Sequence, residues 1–532
     1  MKLLDLFPGD KRRPMERALL LVVGSALAGA AQVALLNQAV LHPRAKSFQV
    51  IAALGFVLFL VGGFLLRWRG SARLMAQIEV VLLERRRRLF DRIRRTDLRT
   101  FERLNGVETG FSRDIDRLAA LSPVLIDCVS YATMLAGFGL YLTMLSGVAG
   151  FVWLSTVGWL ATLLYRERDA IALASARLDR AWNRRQALLA QLTDGFAQLK
   201  MDPLAAAALS KDAQSADREF EHAQQNRFTF VYKSSILAST IFHVGLGVVL
   251  FQSDVARSID SKVRFEIVTV LFFSITAITY VVRELHAFVT AEQALTRLDA
   301  FESSLGADCE LTVREPAPLD QFESIELQGV SFSYLDDQRV TFTVGPIDLT
   351  LRRGEVVFIT GSNGSGKTTL MKLLTGLYEP KQGSIRLDGK RLTDLDRYRS
   401  LFTSVFMDHH LFGPGYGIDT SDSERVAALL RRFNLDGIVR FEKGRFSPLQ
   451  LSTGQRKRLA MVVALLEDRP LYVLDEWAAH QDPYLRRYFY ETLVPELRMR
   501  GKTVIAISHD ARFFHLADRR LHLASGQLVA AD

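Results

Sequence analysis

The first half of the chain alternates long uncharged apolar runs with long charged stretches of helical pattern. Six of the apolar runs are long enough to cross the roughly 30 Å hydrocarbon core of a bilayer as helices. These runs are Ala18–Leu41, Phe48–Leu66, Leu118–Leu145, Val148–Leu164, Phe228–Phe251 and Phe265–Val282. The pattern predicts a six-helix transmembrane domain over residues 1–302 and therefore places the chain in a lipid bilayer.

Two charged arms separate the predicted spans, Arg67–Asp116 and Arg166–Arg227, and both contain few residues that break helices. The basic block Glu84–Arg88 in the first arm has two interpretations. It is compatible with a nucleic-acid-binding patch, but the flanking apolar spans strongly favour a cytoplasmic loop. We therefore expect no nucleic-acid partner. The same rule places the N-terminus, both arms and everything after Val282 in the cytosol.

Ionisable residues stand at or near membrane depth in two of the predicted spans, Asp127 in the third and His243 in the fifth. Charged groups are costly at membrane depth, so such residues usually have either a function or a partner. One interpretation is that they line a substrate cavity. The other is that each is paired inside the helix bundle or at a dimer interface, and both interpretations fit the sequence.

The second half of the chain has a different pattern, in which short apolar runs alternate with turn residues. Serine, glycine and proline punctuate residues 303–321, which is the composition of a linker. Beyond it, Ser324–Tyr334, Pro346–Leu351 and Val356–Thr360 have the pattern of strands. We therefore predict a separate α/β domain of the P-loop type over residues 322–532.

Residues Gly361–Thr369 follow one of these strands and precede a helical run, and they have the spacing of a phosphate-binding P-loop. The glycines allow backbone N–H groups to turn towards phosphate oxygens at a helix N-terminus, whose dipole favours anions. Lys367 is expected to reach the β- and γ-phosphates, and the Thr368 hydroxyl is expected to ligate Mg²⁺. The predicted nucleotide-binding residues of this loop are Gly361, Ser362, Asn363, Gly364, Ser365, Gly366, Lys367, Thr368 and Thr369.

Two further apolar runs are predicted to be buried strands that end in chemically active side chains. The first is followed by Asp475 and Glu476, and the second by His509. One carboxylate at such a strand end is able to hold Mg²⁺ through water, and its neighbour is able to take a proton from an attacking water. A lone histidine at a strand end is usually structural, but three strand ends that converge on one phosphate favour a contact from His509 to the γ-phosphate. Glu476, His509 and Lys367 are thus the predicted catalytic residues.

A second anion site is predicted directly before the helical run Arg456–Leu466. A hydroxyl and backbone N–H groups at a helix N-terminus bind anions. This site is unable to serve the phosphate held by Lys367 of the same chain if the two lie on opposite lobes, which indicates a head-to-tail partner. The residues predicted to contact nucleotide from this site are Ser452, Thr453, Gly454 and Gln455.

The composition agrees with a chain in which apolar and charged residues are segregated. The chain has 532 residues, of which 49% are hydrophobic and 23% are charged, and its formal net charge is +9. The positive charge suits an anionic membrane surface. The two cysteines, Cys128 and Cys309, exclude a disulfide framework and indicate a reducing, cytosolic exposure.

These motifs together resemble those of the ATP-binding cassette (ABC) ATPases. Gly361–Thr369 is similar to the Walker A motif, and Leu451–Gln455 is similar to the signature motif. Leu471–Glu476 resembles Walker B with its catalytic glutamate. The order and spacing of the motifs follow the family, so the resemblance implies bound ATP and Mg²⁺ as the cofactors.

The resemblance extends beyond these three motifs. Asp482 falls at the D-loop, His509 at the switch histidine, and Tyr334 where the family stacks an aromatic ring on adenine. With six spans in front of one ATPase domain, the chain resembles an ABC exporter half-transporter. This implies a dimer with a second copy, with a heterodimer as the alternative. It also implies that Asp97–Leu104 and Asn183–Thr193 are coupling helices that dock on the ATPase domains.

A narrower resemblance lies in Asp475–Asp482 and Leu451–Arg458, which are similar to the bacterial cyclic-peptide exporter group. Members of that group export lasso-peptide microcins, lipopeptide toxins and peptide siderophore precursors. The resemblance implies ATP-driven export of such a peptide across the bacterial inner membrane, with the ATPase domain in the cytosol. Alternatives with the same architecture are a lipid flippase, a multidrug exporter and an exporter-shaped importer of siderophores.

The chain departs from the family pattern at two positions. Met407 stands where the family has the Q-loop glutamine, and a thioether is a poor Mg²⁺ ligand and only a weak hydrogen-bond acceptor. We hypothesise that Asp408 replaces this glutamine. The predicted metal ligands are then Thr368, Asp475 and Asp408. Thr453 replaces a signature glycine, a change that leaves the serine and the second glycine of that motif in place.

Overall fold

The computed structural model describes residues 9–41, 46–104, 108–251, 261–305, 319, 321–336, 339–419 and 422–529. Contacts divide the chain into two units. The first is formed by Met1–Arg94 with Leu104–Gly306, and the second by Arg95–Arg103 with Ala307–Asp532. Most of the predicted linker, residues 303–321, lies outside the described residues, and the predicted domain boundaries at 302 and 322 stay predictions.

The described part of the first unit is helical. Its helices are α1 (Gly9–Leu41), α2 (Lys46–Arg95), α4 (Glu108–Leu145), α5 (Gly147–Asp194), α6 (Phe196–Met201), α7 (Pro203–Phe251) and α8 (Ser261–Ser304). Helix α2 has 50 residues and contains no proline, so it continues from the apolar run into the basic block without interruption. The predicted spans and charged arms are therefore parts of the same long helices.

Five of these helices, α1, α2, α4, α5 and α8, are long and apolar enough to cross a membrane, judged by length and composition within the described residues. The fifth predicted span, Phe228–Phe251, forms the C-terminal part of α7. That span is not among the five, and it stays a prediction.

Glycines allow the helices of the first unit to approach closely. Helix α4 lies along α8, and α5 lies along α7. Between α4 and α5, a Cβ on Gly139 would lie 2.6 Å from the ring of Trp153, and a Cβ on Gly150 would lie 2.7 Å from the backbone of Thr143. Side chains larger than hydrogen would separate these helices, as is common where helices pack in membranes.

An ion-pair network joins three helices of the first unit beyond their apolar runs. Arg117 of α4 donates to Asp179 Oδ2 of α5 at 2.9 Å, and Arg297 Nε of α8 donates to Asp114 Oδ2 of α4 at 2.8 Å. Burial raises the pKa of Asp179, but the hydrogen bond from Arg117 and the charges of Arg297 and Arg113 outweigh it and hold that pKa below its usual range. The carboxylate is therefore charged at neutral pH and holds the three helices together.

The described part of the second unit contains three sheets. The largest has the strand order β12-β11-β3-β10-β9-β6, and the others have the orders β2-β1-β4-β5 and β7-β8. The strands are β1 (Ser324–Asp336), β2 (Arg339–Arg352), β3 (Val356–Thr360), β4 (Gln382–Leu387), β5 (Lys390–Arg391), β6 (Phe402–Val405), β7 (Arg440–Glu442), β8 (Arg445–Ser447), β9 (Leu471–Leu474), β10 (Thr503–Ile507), β11 (Arg519–Ala524) and β12 (Gln527–Val529). The helices are α9 (Lys367–Leu374), α10 (Leu395–Arg399), α11 (Ser423–Arg432), α12 (Thr453–Glu467), α13 (Pro483–Tyr488) and α14 (Val494–Met499).

Strands β3, β10, β9 and β6 of the large sheet run parallel. Every residue of β3, β9 and β10 is buried, as expected for parallel strands that are covered on both faces. Because these strands are parallel neighbours, their carboxyl ends lie together at one edge of the sheet. The side chains that follow them are thereby brought into one site.

The remaining helix, α3 (Leu98–Arg103), belongs to the second unit, although the chain on either side of it belongs to the first. Its residue Glu102 accepts hydrogen bonds from the Tyr378 hydroxyl at 2.6 Å and from Lys372 Nζ at 2.9 Å. Leu98 packs on the hydrophobic core of the same unit. This helix lies within the segment Asp97–Leu104 that was predicted to be a coupling helix.

Candidate active site

The loop between β3 and α9 requires glycine at three positions. Gly361, Gly364 and Gly366 have φ values of 146°, 77° and 99°, which residues with a Cβ rarely adopt. A Cβ on Gly361 would lie 2.2 Å from the carbonyl oxygen of Leu523, and a Cβ on Gly366 would lie 2.7 Å from Val344. The loop thus makes the tight turns, close to neighbouring strands, that a P-loop requires.

Two polar side chains of the loop fit a phosphate ligand. Ser365 is 3% exposed, and its hydroxyl has no hydrogen-bond partner among the residues that the structure describes. Lys367 Nζ donates to the carbonyl oxygens of Gly361 and Ser362, both at 3.0 Å, and an ammonium group has a third donor. A buried hydroxyl without a partner is costly, and phosphate oxygens would satisfy both groups.

Thr368 and Asp475 form the part of the site that fits Mg²⁺. Thr368 Oγ1 donates to Asp475 Oδ2 at 2.9 Å. Asp475 is 2% exposed, and burial raises its pKa against the opposing hydrogen bond from Thr368. A bound divalent cation would favour the charged carboxylate. Within the described part of the chain, no cluster of three or more His, Cys, Asp and Glu side chains fits a metal ion, so Mg²⁺ would bind to these two residues together with phosphate oxygens.

Glu476 and His509 meet at the ends of neighbouring strands. His509 Nε2 lies 3.1 Å from Glu476 Oε1. Both residues line a cavity of about 360 Å³, which has room for an attacking water. The backbone of Glu476 has φ 49° and ψ 39°, in the left-handed region. The carboxylate thus has a position and a partner suited to a general base.

Two predicted nucleotide-binding segments begin helices. Ser452 Oγ accepts from the N–H of Gln455 at 3.3 Å, and Gln455 Oε1 accepts from the N–H of Ser452 at 2.9 Å, which forms a capping box at the start of α12. Asp482 caps α13 by accepting from the N–H of Leu485 at 3.0 Å. The signature and D-loop residues are therefore held in fixed positions by helix caps.

Three contacts that the sequence did not predict join the start of α12 to the segment that follows β9. Lys457 Nζ donates to the carbonyl oxygen of Glu476 at 2.8 Å, and Trp477 Nε1 donates to the carbonyl oxygen of Lys457 at 2.7 Å. Gln481 Nε2 lies 3.4 Å from the carbonyl oxygen of Gly454. Lys457 and Trp477 lie in the two motifs that carry the narrower resemblance, but nothing in the sequence indicates that they contact each other.

Tyr334, the predicted adenine-stacking residue, lies in β1 beside the helix that follows the P-loop. Its hydroxyl lies 3.1 Å from Thr369 Oγ1 and donates to the Tyr378 hydroxyl at 3.4 Å. Its ring meets the ring of Phe332 edge to face, with the centroids 5.2 Å apart. The hydroxyl and one edge of the ring are therefore anchored by neighbours within the same unit.

Asp408, the predicted replacement for the Q-loop glutamine, makes no described hydrogen bond to Thr368 or Asp475, the residues that fit Mg²⁺. Met407 and Asp408 are exposed and line a cavity of about 560 Å³ together with two signature-motif residues. The described side-chain hydrogen bond of Thr368 joins it to Asp475 and not to Asp408. The role of Asp408 as a metal ligand stays a prediction.

The ionisable residues predicted at membrane depth have partners in the first unit. Arg67 Nη2 donates to Asp127 Oδ1 at 2.8 Å, and the Tyr280 hydroxyl donates to Asp127 Oδ2 at 3.0 Å. His243 Nδ1 lies 2.7 Å from the carbonyl oxygen of Ser239 on its own helix. Asp127 is thus paired within the helix bundle, in agreement with the second of its two interpretations.

Another ionisable residue in the predicted spans, Glu266, was not singled out from the sequence because it stands at the second position of its apolar run. It is 3% exposed, and its carboxylate accepts from the Tyr141 hydroxyl at 2.5 Å. The Gln38 side chain donates to the other carboxylate oxygen at 3.5 Å. These contacts join α1, α4 and α8 through a buried carboxylate.

The fold and the site define a class of protein. The family model described as ABC transporter matches residues 344–479. A solved structure described as "Structure of a bacterial Atm1-family ABC exporter with ATP bound" has a TM-score of 0.77 and 19% sequence identity, and the match covers 98% of this chain and 94% of that chain. Residues 344–479 thus match the ABC transporter family, and the chain has the fold of an ABC exporter, which confirms the predicted fold class.

Two relatives of the chain are bacterial proteins. The chain is 36% identical over 363 residues to "ATP-binding protein SyrD" of Pseudomonas syringae pv. syringae, which covers 64% of this chain and 62% of that relative. It is 26% identical over 521 residues to the "ATP-dependent lipid A-core flippase" of Paraburkholderia xenovorans (strain LB400), which covers 92% of this chain and 84% of that relative. The chain thus spans less than two thirds of the length of SyrD.

Proposed function

We propose that this chain is one half of a homodimeric exporter that uses ATP hydrolysis to move a peptide-like cargo out across the bacterial inner membrane. The observation that carries this proposal is the meeting of two side-chain pairs at the ends of parallel strands. Thr368 with Asp475 fits Mg²⁺, and Glu476 with His509 fits an attacking water. The same chain has helices that are long and apolar enough to cross a membrane.

The position of the signature motif supports the proposed dimer. Within the described residues, Ser452 and Gln455 bond to each other at the start of α12, and neither bonds to the P-loop. A helix N-terminus with exposed N–H groups binds anions, so the start of α12 is suited to the nucleotide of a second subunit. Because one chain carries both the P-loop and the signature motif, two copies form two complete sites.

In the proposed reaction, Glu476 accepts a proton from the attacking water, and His509 holds the carboxylate in place and contacts the transferred phosphoryl group. Lys367 stabilises the negative charge that develops on the phosphate oxygens. Bound Mg²⁺, held by Thr368 and Asp475, would neutralise part of the charge on the phosphates. Closure of the two ATPase domains on ATP and their release after hydrolysis would drive the helical unit between two states.

The test of the ATPase role uses Glu476→Gln in the full-length protein in lipid nanodiscs. This change keeps the shape of the side chain and removes the general base, so ATP turnover is expected to fall by about 10²- to 10⁴-fold. The matched control is Glu491→Gln, because Glu491 forms an exposed ion pair with Arg487 in the same unit. Normal turnover in Glu476→Gln would exclude this residue as the base.

The resemblance of Asp475–Asp482 and Leu451–Arg458 to the cyclic-peptide exporter group supports the peptide cargo. The experiment titrates the ATPase activity with a cyclic or lasso peptide, with its linear version and with a lipid amphiphile. A peptide exporter is expected to show saturable stimulation by the constrained peptide alone. Stimulation by the lipid alone would contradict the peptide proposal.

A lipid flippase is the second candidate. It is supported by the relative named as a lipid A-core flippase, to which 92% of this chain aligns. A flippase would be stimulated by the lipid amphiphile and would require no peptide. The same titration therefore decides between the two cargo classes without affecting the proposed ATPase chemistry.

A further inference from the structure

The segment that carries Glu476 is fastened to the signature helix α12 by three side chains, Lys457, Trp477 and Gln481, which together we name the α12 clasp. Two of its hydrogen bonds are reciprocal. Lys457 donates its side chain to the backbone of Glu476 at 2.8 Å, and Trp477 donates its side chain to the backbone of Lys457 at 2.7 Å. Gln481 adds a longer contact to Gly454 at 3.4 Å.

Glu476 needs such support because of its backbone conformation. Its φ of 49° lies in the left-handed region, which residues with a Cβ adopt at a cost unless the surrounding structure holds them there. The backbone sets the direction in which the side chain leaves the strand end, so it also sets where the carboxylate meets His509. The hydrogen bond from Lys457 is made to the carbonyl of this same residue.

The two main members of the clasp are deeply buried. Lys457 is 5% exposed and Trp477 is 1% exposed. The indole ring packs against Phe433 and Phe489, with centroid distances of 6.1 Å and 5.0 Å. A lysine is rarely buried to this extent unless its ammonium group has defined partners, and a ring fixed on two sides holds its N–H in one direction.

We propose that Lys457 is a positioning residue for the hydrolysis reaction, which holds Glu476 in its left-handed conformation and, through Trp477, fastens it to the start of α12. This proposal rests on the proposed role of Glu476 as the general base. The start of α12 carries the signature motif, which is expected to contact the nucleotide of the other subunit. Contact between the signature motif and the nucleotide of the other subunit therefore sets the position of Glu476 in its own subunit's site, through the α12 clasp.

The position of Lys457 predicts which kinetic constant depends on it. The side chains that fit the phosphates of ATP, such as Ser365 and Lys367, belong to a different segment of the chain. Loss of the clasp should therefore lower kcat for ATP hydrolysis and leave KM almost unchanged, as expected when an interaction acts on the reacting geometry and not on substrate binding.

The experiment measures kcat and KM for ATP with the full-length protein in nanodiscs. Lys457→Met removes the donor and keeps the length of the side chain, and we expect kcat to fall by about 10- to 100-fold, the range that corresponds to one charge-assisted hydrogen bond. Lys457→Gln keeps a donor and should recover a large part of kcat. Trp477→Phe keeps a ring and removes the indole N–H, and should lower kcat by a smaller factor of about three to ten.

The chain offers a matched control at the other end of α12. Lys502 Nζ donates to the carbonyl oxygen of Asp468 at 2.6 Å, and Asp468 has φ 48° and caps the C-terminus of α12. Lys502→Met therefore removes a lysine bond to a left-handed residue of the same helix, without touching the segment of Glu476. It should leave kcat within about twofold of the original protein. If such bonds acted only through folding, kcat would fall equally in Lys457→Met and Lys502→Met.

The outcomes are distinguishable. A fall in kcat for Lys457→Met, recovery in Lys457→Gln and near-normal turnover in Lys502→Met would support the proposal. An unchanged kcat in Lys457→Met, or a raised KM with unchanged kcat, would overturn it. If Glu476→Gln has normal turnover, the proposed role of the base itself is wrong. If Glu476→Gln is inactive while both Lys457 variants are normal, the base is retained and only the positioning role is lost.

Discussion

The hydroxyl of Tyr378 offers a sharp test of the structure, because a second buried tyrosine of the same unit provides its control. Tyr378 is 2% exposed and donates to the Glu102 carboxylate at 2.6 Å. Burial raises the pKa of Tyr378, and the hydrogen bond to Glu102 raises it further, so the hydroxyl keeps its proton at neutral pH. Tyr472 is fully buried, and its hydroxyl has no hydrogen-bond partner within the described structure.

Tyr378→Phe should destabilise the ATPase unit by about 1.5–2 kcal/mol. A hydrogen bond to a charged group contributes about 1.5–3 kcal/mol, and we take the lower part of that range because the Glu102 side chain is 39% exposed and keeps its bond to Lys372. The ring remains stacked on Phe332, with the centroids 4.6 Å apart. The loss therefore comes from the hydroxyl and not from packing.

Tyr472→Phe removes a buried hydroxyl that has no partner, so it should be neutral or stabilising by about 1 kcal/mol. The measurement compares thermal unfolding of both full-length variants in the same nanodiscs. For a unit of this size, each kcal/mol corresponds to roughly 2–4 °C, so the two Tm values should differ by several degrees, with Tyr378→Phe the lower. Equal shifts in the two variants, or a larger loss in Tyr472→Phe, would refute the reasoning.

Two further predictions concern the P-loop and the helical unit. Gly361→Ala should abolish ATP binding, because the added Cβ would lie 2.2 Å from the carbonyl oxygen of Leu523, and normal affinity for a fluorescent ATP analogue would contradict this. Asp179→Asn should lower stability by about 1–3 kcal/mol, whereas Glu219→Gln, in an exposed pair with Arg184, should change it by less than about 0.5 kcal/mol. Because the pKa of Asp179 is lowered on folding, its contribution is present above the unfolded pKa of about 3.9 and is lost as pH falls through the folded pKa. Thermal unfolding of both variants as a function of pH measures this contribution. Equal losses of stability in Asp179→Asn and Glu219→Gln would contradict the prediction.

The loop and the strand ends that form the candidate site could be predicted from the sequence because their signals are local. The P-loop needs glycine at fixed positions, and a buried strand that ends in a carboxylate is visible in a short run of residues. Parallel neighbours then bring their carboxyl ends together, so the meeting of Glu476 with His509 follows from strand order without any knowledge of side-chain packing. Long helices were equally visible, since α2 contains no proline between its apolar run and its basic block.

Contacts that depend on packing between distant segments were not visible. Lys457 and Trp477 bond through one side chain and one backbone carbonyl, and neither residue type signals this in a sequence. Glu266 was missed for a related reason, because its partner Tyr141 comes from another helix and the carboxylate stands near the edge of an apolar run. A pattern of hydrophobic positions shows which face of an element is buried, but it does not show which polar groups meet there.

The short helix α3 has a consequence for how the protein can be divided. Arg95–Arg103 belongs by its contacts to the second unit. A fragment that starts in the linker therefore lacks one segment of that unit. An ATPase fragment that begins after residue 305 would expose the apolar surface covered by Leu98 and leave the Tyr378 hydroxyl without its carboxylate acceptor. Nucleotide affinities and melting temperatures measured on such a fragment would be those of a protein whose surface beneath α3 is exposed to solvent. Adding a peptide of residues 95–104 should cover that surface again and restore the lost stability.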